Sequence, residues 1–182
     1  MKKTIRIFGL FVTIGLVLAC GQSALAQPYG KGVYGANVPY GDETSLSIAT
    51  SGNITIANIT PVTGGTLASA NSVVTVTSTD VVGFKLYVRS LTSTDMDNQG
   101  AIIPTSGNGA PAALAVNTWG YNTNGSSNYI GMTLSDVLIK SITGPASSGD
   151  ITTFKYGINV DLAKPAGNYA TSVIYTAVPQ TD

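Results

Sequence analysis

Hydrophobic and polar residues alternate most cleanly near the C-terminus. Across residues 152–162, Phe154, Tyr156, Ile158, Val160 and Leu162 fall on one side, and Lys155, Gly157, Asn159 and Asp161 on the other. A strict period of two predicts a half-buried, antiparallel strand with the first set turned to a core. Residues 84–89 repeat the pattern, with Phe84, Leu86 and Val88 inward and Lys85, Tyr87 and Arg89 outward. Further runs predict strands around Leu46 and Ile48, Ile54 to Ile59, Val73 to Thr77, Thr118 to Tyr121, Tyr129 to Met132, Val137 to Ile142, and Asn168 to Val178. Ser51-Gly52-Asn53, Pro61 and Gly64-Gly65 punctuate the first half. At Lys164-Pro165-Ala166-Gly167 the proline presets a turn and the glycine is expected at positive φ. Residues 90–116 read as a long polar connection holding a short Ile102-Ile103 run.

No stretch beyond residue 26 carries a convincing helical period. The reading is an all-β chain: one antiparallel β-sandwich of about eight or nine strands, of immunoglobulin-like or pilin-like type, over residues 44–179. A closed barrel is the alternative. Residues 180–182 form a short tail, with no sorting motif or apolar segment.

The N-terminal pattern is different. Lys2, Lys3 and Arg6 precede an apolar run over residues 7–19, and Ala24-Leu25-Ala26 stands before Gln27. A basic head, an apolar run of roughly 13 residues and a small-x-small exit make a secretory signal peptide over residues 1–26. The run is shorter than the ~20 residues a membrane span needs. Cleavage is expected between Ala26 and Gln27. Val17-Leu18-Ala19-Cys20 also has the form of a lipobox, so the alternative is lipidation at Cys20 and a membrane-anchored lipoprotein.

Residues 27–43 are rich in Gly and Tyr, a density that opposes regular structure. This stretch reads as an extended arm or linker, with a disordered N-terminus as the alternative. Tyr29, Tyr34 and Tyr40 are its candidate partner contacts, through strand addition to a neighbour's sheet.

Composition narrows the function. Removal of residues 1–26 leaves six bases, Lys31, Lys85, Arg89, Lys140, Lys155 and Lys164, against nine acids, a net charge of −3. Nothing clusters by sign, so no basic patch for nucleic acid is expected. Charged residues are 10% of the chain, against about 25% in an average globular protein. A neutral, hydrogen-bonding surface suits extracellular β-proteins and subunits that pack side by side. Cys20 is the only cysteine, so no disulfide can form within the chain.

The chain has no histidine, which removes Ser-His-Asp and Cys-His machinery and the commonest zinc ligand. Its single glutamate, Glu43, lies in the arm, and no phosphate-binding loop motif occurs. The expectation is no enzyme and no cofactor. One metal candidate stands out: in Asp95-Met96-Asp97-Asn98-Gln99-Gly100, oxygen ligands at alternate positions precede a glycine, as a Ca²⁺ loop requires. Gln99 and Ser106 stand where an EF-hand wants Asp/Asn and a bidentate Glu, so a polar turn between strands is the competing reading. Trp119 and Tyr121 are either core plugs or contacts that stack on a glycan or partner. Asn53-Ile54-Thr55, Asn58-Ile59-Thr60 and Asn124-Gly125-Ser126 match the glycosylation pattern by chance in so Asn- and Thr-rich a chain.

Asn117-Thr118-Trp119-Gly120-Tyr121, with Tyr156-Gly157-Ile158-Asn159-Val160-Asp161 and the closing Pro165-Ala166-Gly167-Asn168-Tyr169 and Val173-Ile174-Tyr175-Thr176-Ala177, resembles a family of secreted bacterial cell-surface β-modules. These share an N-x-W-G-Y element and a P-A-G-x-Y-x-x-x-V-x-Y-T-A hairpin. The last strand is similar in style to pilin-like and spore-coat-U-like domains. The resemblance implies a surface or appendage role without catalysis. Partners would be further copies of the chain, as a homopolymer or by strand exchange, or other envelope proteins. The alternative is a monomeric adhesin binding a glycan or host surface. Gly167-Asn168-Tyr169 is similar to the tyrosine corner of immunoglobulin-like sandwiches, which implies a structural role for Tyr169.

Overall fold

The computed structural model describes residues 11–12, 45–57, 59–79 and 81–180. These residues form strands, turns and irregular segments, with no helix. The strands are β1 (Phe11–Val12), β2 (Ser45–Thr50), β3 (Thr66–Thr79), β4 (Gly83–Ser90), β5 (Met96–Asn98), β6 (Ala101–Ile103), β7 (Thr118–Asn122), β8 (Val137–Thr143), β9 (Ala146–Val160), β10 (Ala170–Thr171) and β11 (Val173–Gln180). They make a four-stranded sheet in the order β2-β3-β9-β7, a three-stranded sheet β11-β4-β8, and a small sheet β1-β10-β5-β6. Among the described residues the strands pair antiparallel except β1 with β10, and a single parallel bridge joins Thr105 to Trp119.

The count departs from the expected eight or nine because β1, β5, β6 and β10 are two- or three-residue strands with too little sequence to show a period. β3 and β9 run longer than their hydrophobic stretches, since pairing with each other carries them through polar residues such as Ser69, Asn71 and Asp150. Among the described residues, those of the Ile54 to Ile59 and Tyr129 to Met132 runs form no extended ladder. Ile54, Ile56 and Ile59 are nevertheless buried, so their alternation reports core contact without sheet pairing. Leu162, expected inward, is exposed: β9 ends at Val160, two residues before it.

One core gathers side chains from both larger sheets. Val74 and Val76 of β3 and Phe154, Tyr156, Ile158 and Val160 of β9 meet Phe84, Leu86 and Val88 of β4 and Val173 and Tyr175 of β11. Each set occupies every second position of its strand. The phenol of Tyr156 lies 2.5 Å from that of Tyr175, a buried hydrogen bond between the sheets in which either oxygen can donate. Tyr156 and Phe154 also share a cluster with Trp119, Tyr121 and Tyr175, the closest ring pair being Phe154 and Tyr175 at 4.7 Å.

The buried phenol pair fixes a pH response. Desolvation, reinforced by the neighbouring Tyr175, pushes Tyr156 well above the ordinary tyrosine value of 10.0. Desolvation also raises Tyr175, with hydrogen bonds from Tyr156 and Ser72 opposing it in part. Raised folded-state values mean that this contribution is fully present below the unfolded tyrosine range, about pH 10, and is lost as pH climbs through the folded values. Urea midpoints are therefore expected to show no tyrosine-linked loss up to about pH 9 and a fall above about pH 10. Absorbance titration should show phenols that ionise only on unfolding. Free titration of every tyrosine at its ordinary value, with the fold intact, contradicts the buried pair.

The Pro165–Gly167 corner forms, but Gly167 does not take the positive φ expected of it. A Cβ there would sit 1.9 Å from Nδ2 of Asn98, so the glycine serves close approach. Tyr169 donates its hydroxyl to the carbonyl of Pro165 at 2.9 Å, the local backbone bond expected of a structural tyrosine.

Candidate functional site

Trp119 and Tyr121 lie on β7, in register with Ile158 and Tyr156 of β9, and both point inward. Trp119 is fully buried and donates its indole N–H to the carbonyl of Thr94 at 2.9 Å. Tyr121 is 2% exposed. The contact reading of these two residues is corrected: neither presents a ring to a glycan or partner, and both fill the core.

The opposite face of β7 and β9 is built on glycine. Gly120 and Gly157 are register partners, so the sheet has a smooth floor there. The ring of Tyr129 lies on it, so close that a Cβ on Gly157 would sit 2.4 Å from two ring carbons. Tyr129 is 1% exposed. Its backbone exchanges hydrogen bonds with Ala112, and Ile130 exchanges them with Tyr121. The amide of Asn108 donates to the carbonyls of Ala112, Ala113 and Tyr129 at 3.1–3.2 Å. Thus the polar 90–116 connection is partly a lid over the sheet.

Past β7 the chain turns through residues 122–128. Asn122, 2% exposed, organises this turn. Its amide nitrogen donates to Ser126 and Asn128 carbonyls, and its Oδ1 accepts from the N–H of Gly125 at 3.0 Å. Lys155, in register with Asn122 on one side and Asn71 on the other, donates from Nζ to the carbonyls of Gly125 (3.2 Å) and Ser126 (2.9 Å). Between turn and sheet lies an open depression of about 460 Å³, lined by Ser69, Ala70, Asn71, Thr123, Asn124, Gly125, Thr153 and Lys155. The sequence reading missed this site. Its one local signal, Asn124-Gly125, was legible as a turn pair, but Asn71, Thr153 and Lys155 meet it only through strand register.

Asp97 lies within β5, paired with Ile102, and Asp95 precedes the β5–β6 hairpin. Residues Gln99 and Gly100 form its two-residue turn with φ of 52° and 93°, the double positive φ of a type I′ connection. Oδ1 of Asp97 accepts from the N–H of Gly100 at 3.1 Å, and the N–H of Asp95 donates to Oγ of Ser93 at 3.0 Å. The spacing that resembles a Ca²⁺ loop is here the geometry of a hairpin turn. No group of three or more His, Cys, Asp or Glu side chains suited to a metal occurs among the described residues.

Asn117, at φ 62°, and Asp161 clip the end of β9 to the start of β7. The Asn117 amide donates to Oδ1 of Asp161 at 2.8 Å, and the Asp161 N–H donates back to Oδ1 of Asn117 at 3.1 Å. The Asn117 bond is the main cause holding the Asp161 carboxyl below its usual range. Two ion pairs occur among the described residues, Arg89 with Asp136 at 3.4 Å and Lys140 with Asp150 at 2.5 Å.

Tyr29, Tyr34 and Tyr40, the lipidation candidate Cys20, and the Ala26–Gln27 junction lie outside the described residues. Ile151 (64% exposed) and Leu138 (51%) stand on the strands themselves, on β9 and β8, with Leu67 of β3 and Val178 of β11 also exposed. β8 pairs only with β4, and β2 only with β3, among the described residues. Neither a family model, nor a curated protein, nor a solved structure matches this chain.

Proposed function

We propose that this chain is an exported, non-enzymatic structural protein of the bacterial cell envelope: a β-sandwich unit, of pilin-like or immunoglobulin-like type, that packs into a surface layer or fibre with copies of itself or with other envelope proteins. The observation that carries the reading is the exposure of Ile151, Leu138, Leu67 and Val178 on regular strands, where neighbours can cover them. A chain with 10% charged residues offers little repulsion to such packing. The shared core and the Tyr156–Tyr175 bond between the larger sheets support the sandwich description, and the Tyr169–Pro165 bond supports the tyrosine-corner comparison. The leader pattern supports export, with residues 27–43 as linker or exchanged strand and Cys20 as the alternative lipid anchor.

The test is the native size of the protein released gently from its own cells, by size-exclusion chromatography with light scattering. A large, polydisperse species is expected. A clean monomer of the chain from Gln27 onward sinks the assembly reading. Release that requires detergent identifies Cys20 as the anchor in place of cleavage after Ala26.

A further inference from the structure

The depression beside the 122–128 turn combines three properties. The first is its chemistry. The hydroxyls of Ser69, Thr123 and Thr153 can both donate and accept, the amides of Asn71 and Asn124 offer both roles, and no carboxylate lines it. The second is its charge. The Lys155 ammonium carries three N–H groups, and two acceptors, the carbonyls of Gly125 and Ser126, are placed on it. No carboxylate pairs with Lys155 among the described residues. The third is its rigidity. Asn122 and Lys155 fasten the turn from two sides, so the wall formed by residues 123–125 stands in place before a ligand arrives. Nothing lies within 4 Å of the point a Cβ on Gly125 would occupy, which leaves that backbone open to approach.

A volume of about 460 Å³ lies within the usual range of roughly 300–1,000 Å³ for small-molecule sites. It exceeds what a bare ion fills, and the ring of hydroxyls and amides has no use for an apolar ligand. From these features we propose that the depression binds an acidic saccharide, a hexuronic-acid type of sugar whose carboxylate meets Lys155 while its hydroxyls meet Asn71, Thr153 and Asn124. The site lies on the outer face of the β2-β3-β9-β7 sheet and does not depend on whether the chain assembles. Without an aromatic ring in the lining, binding is weak.

The experiment is a titration of the ¹⁵N-labelled protein, followed by amide chemical shifts, with sodium glucuronate, glucose and sodium acetate as separate probes. Glucuronate is expected to move residues 69–71, 123–125 and 153–155 with a dissociation constant of about 1–10 mM, and to bind about fivefold or more tighter than glucose or acetate. Asn71→Ala, which leaves both Lys155 bonds to the turn in place, should weaken glucuronate by about threefold or more with an unchanged melting temperature. Lys155→Met should abolish the preference for glucuronate over glucose. Equal shifts with acetate and glucuronate would mark a bare anion contact and overturn the proposal. So would equal affinity for glucose, or no saturable shift at these residues.

Discussion

Replacing Trp119 with alanine is expected to lower the stability of the fold by about 3–5 kcal/mol, the range for removing a buried aromatic side chain. The indole is fully buried at the join of β7 and β9, packs 6.4 Å from the Tyr156 ring, and reaches across to the Thr94 carbonyl. Its loss opens a cavity and leaves that carbonyl without the indole donor. Against a total of about 5–15 kcal/mol for a domain, such a loss lowers the melting temperature by roughly 10–20 °C. Trp119→Phe keeps most of the volume and removes the hydrogen bond, so a smaller loss of about 1–3 kcal/mol is expected. Urea unfolding followed by far-UV circular dichroism reads both variants without depending on tryptophan emission. A loss under about 1 kcal/mol for the alanine variant would show that the indole does not plug the core.

The second large effect comes from adding a single methyl group. Gly157→Ala puts a Cβ 2.4 Å from ring carbons of Tyr129, inside contact distance. The ring must lift, and its buried stack over Gly157 is lost with it. The expected cost is about 2–4 kcal/mol, combining overpacking with exposure of an aromatic ring. Tyr129→Ala alone removes the same stack and costs about 3–5 kcal/mol. Introduced into that background, Gly157→Ala should add less than about 1 kcal/mol, because its clash partner is gone. Additive losses in the double variant would mean that the methyl group acts on the strand itself, through β9 geometry, and not through Tyr129.

These two sites mark the boundary of what sequence pattern carries. The alternation over Phe154, Tyr156, Ile158 and Val160 was legible because one face of β9 is dry and the other is not. The role of Gly157 was not, since a glycine inside a strand fits a bulge, a bend or a close approach equally well. Only the register that sets Gly120 beside it, and the lid that lowers Tyr129 onto Gly157 and the Ile130 backbone onto Gly120, decides the matter. Trp119 was ambiguous for a related reason: a tryptophan's burial depends on which side of β7 faces the core, and five residues of mixed polarity do not fix that. At Asp95 and Asp97 spacing alone does not discriminate, because oxygen at alternate positions before a glycine serves a hairpin turn as well as a cation. The depression was invisible because its walls come from three segments, residues 69–71, 123–125 and 153–155, that are far apart in sequence.

The pairing of β3 with β9 bears on how the chain reaches its fold. Its partners run from Ser78 with Ala146, 68 residues apart, to Thr66 with Val160, 94 apart. β3 is also the strand on which β2 depends. The two interior strands of the largest sheet therefore meet only after a long loop has closed, an entropic toll taken before any ladder bond repays it. Such topologies fold in milliseconds to seconds, not microseconds. Until β9 is available, β3 presents one open edge along its fourteen residues, rich in Val and Thr, to whatever else is nearby. The N-terminal half made without residues 146–160 is thus a sticky hairpin in search of a third strand, and a growing chain remains in that state until residues 146–160 have been made.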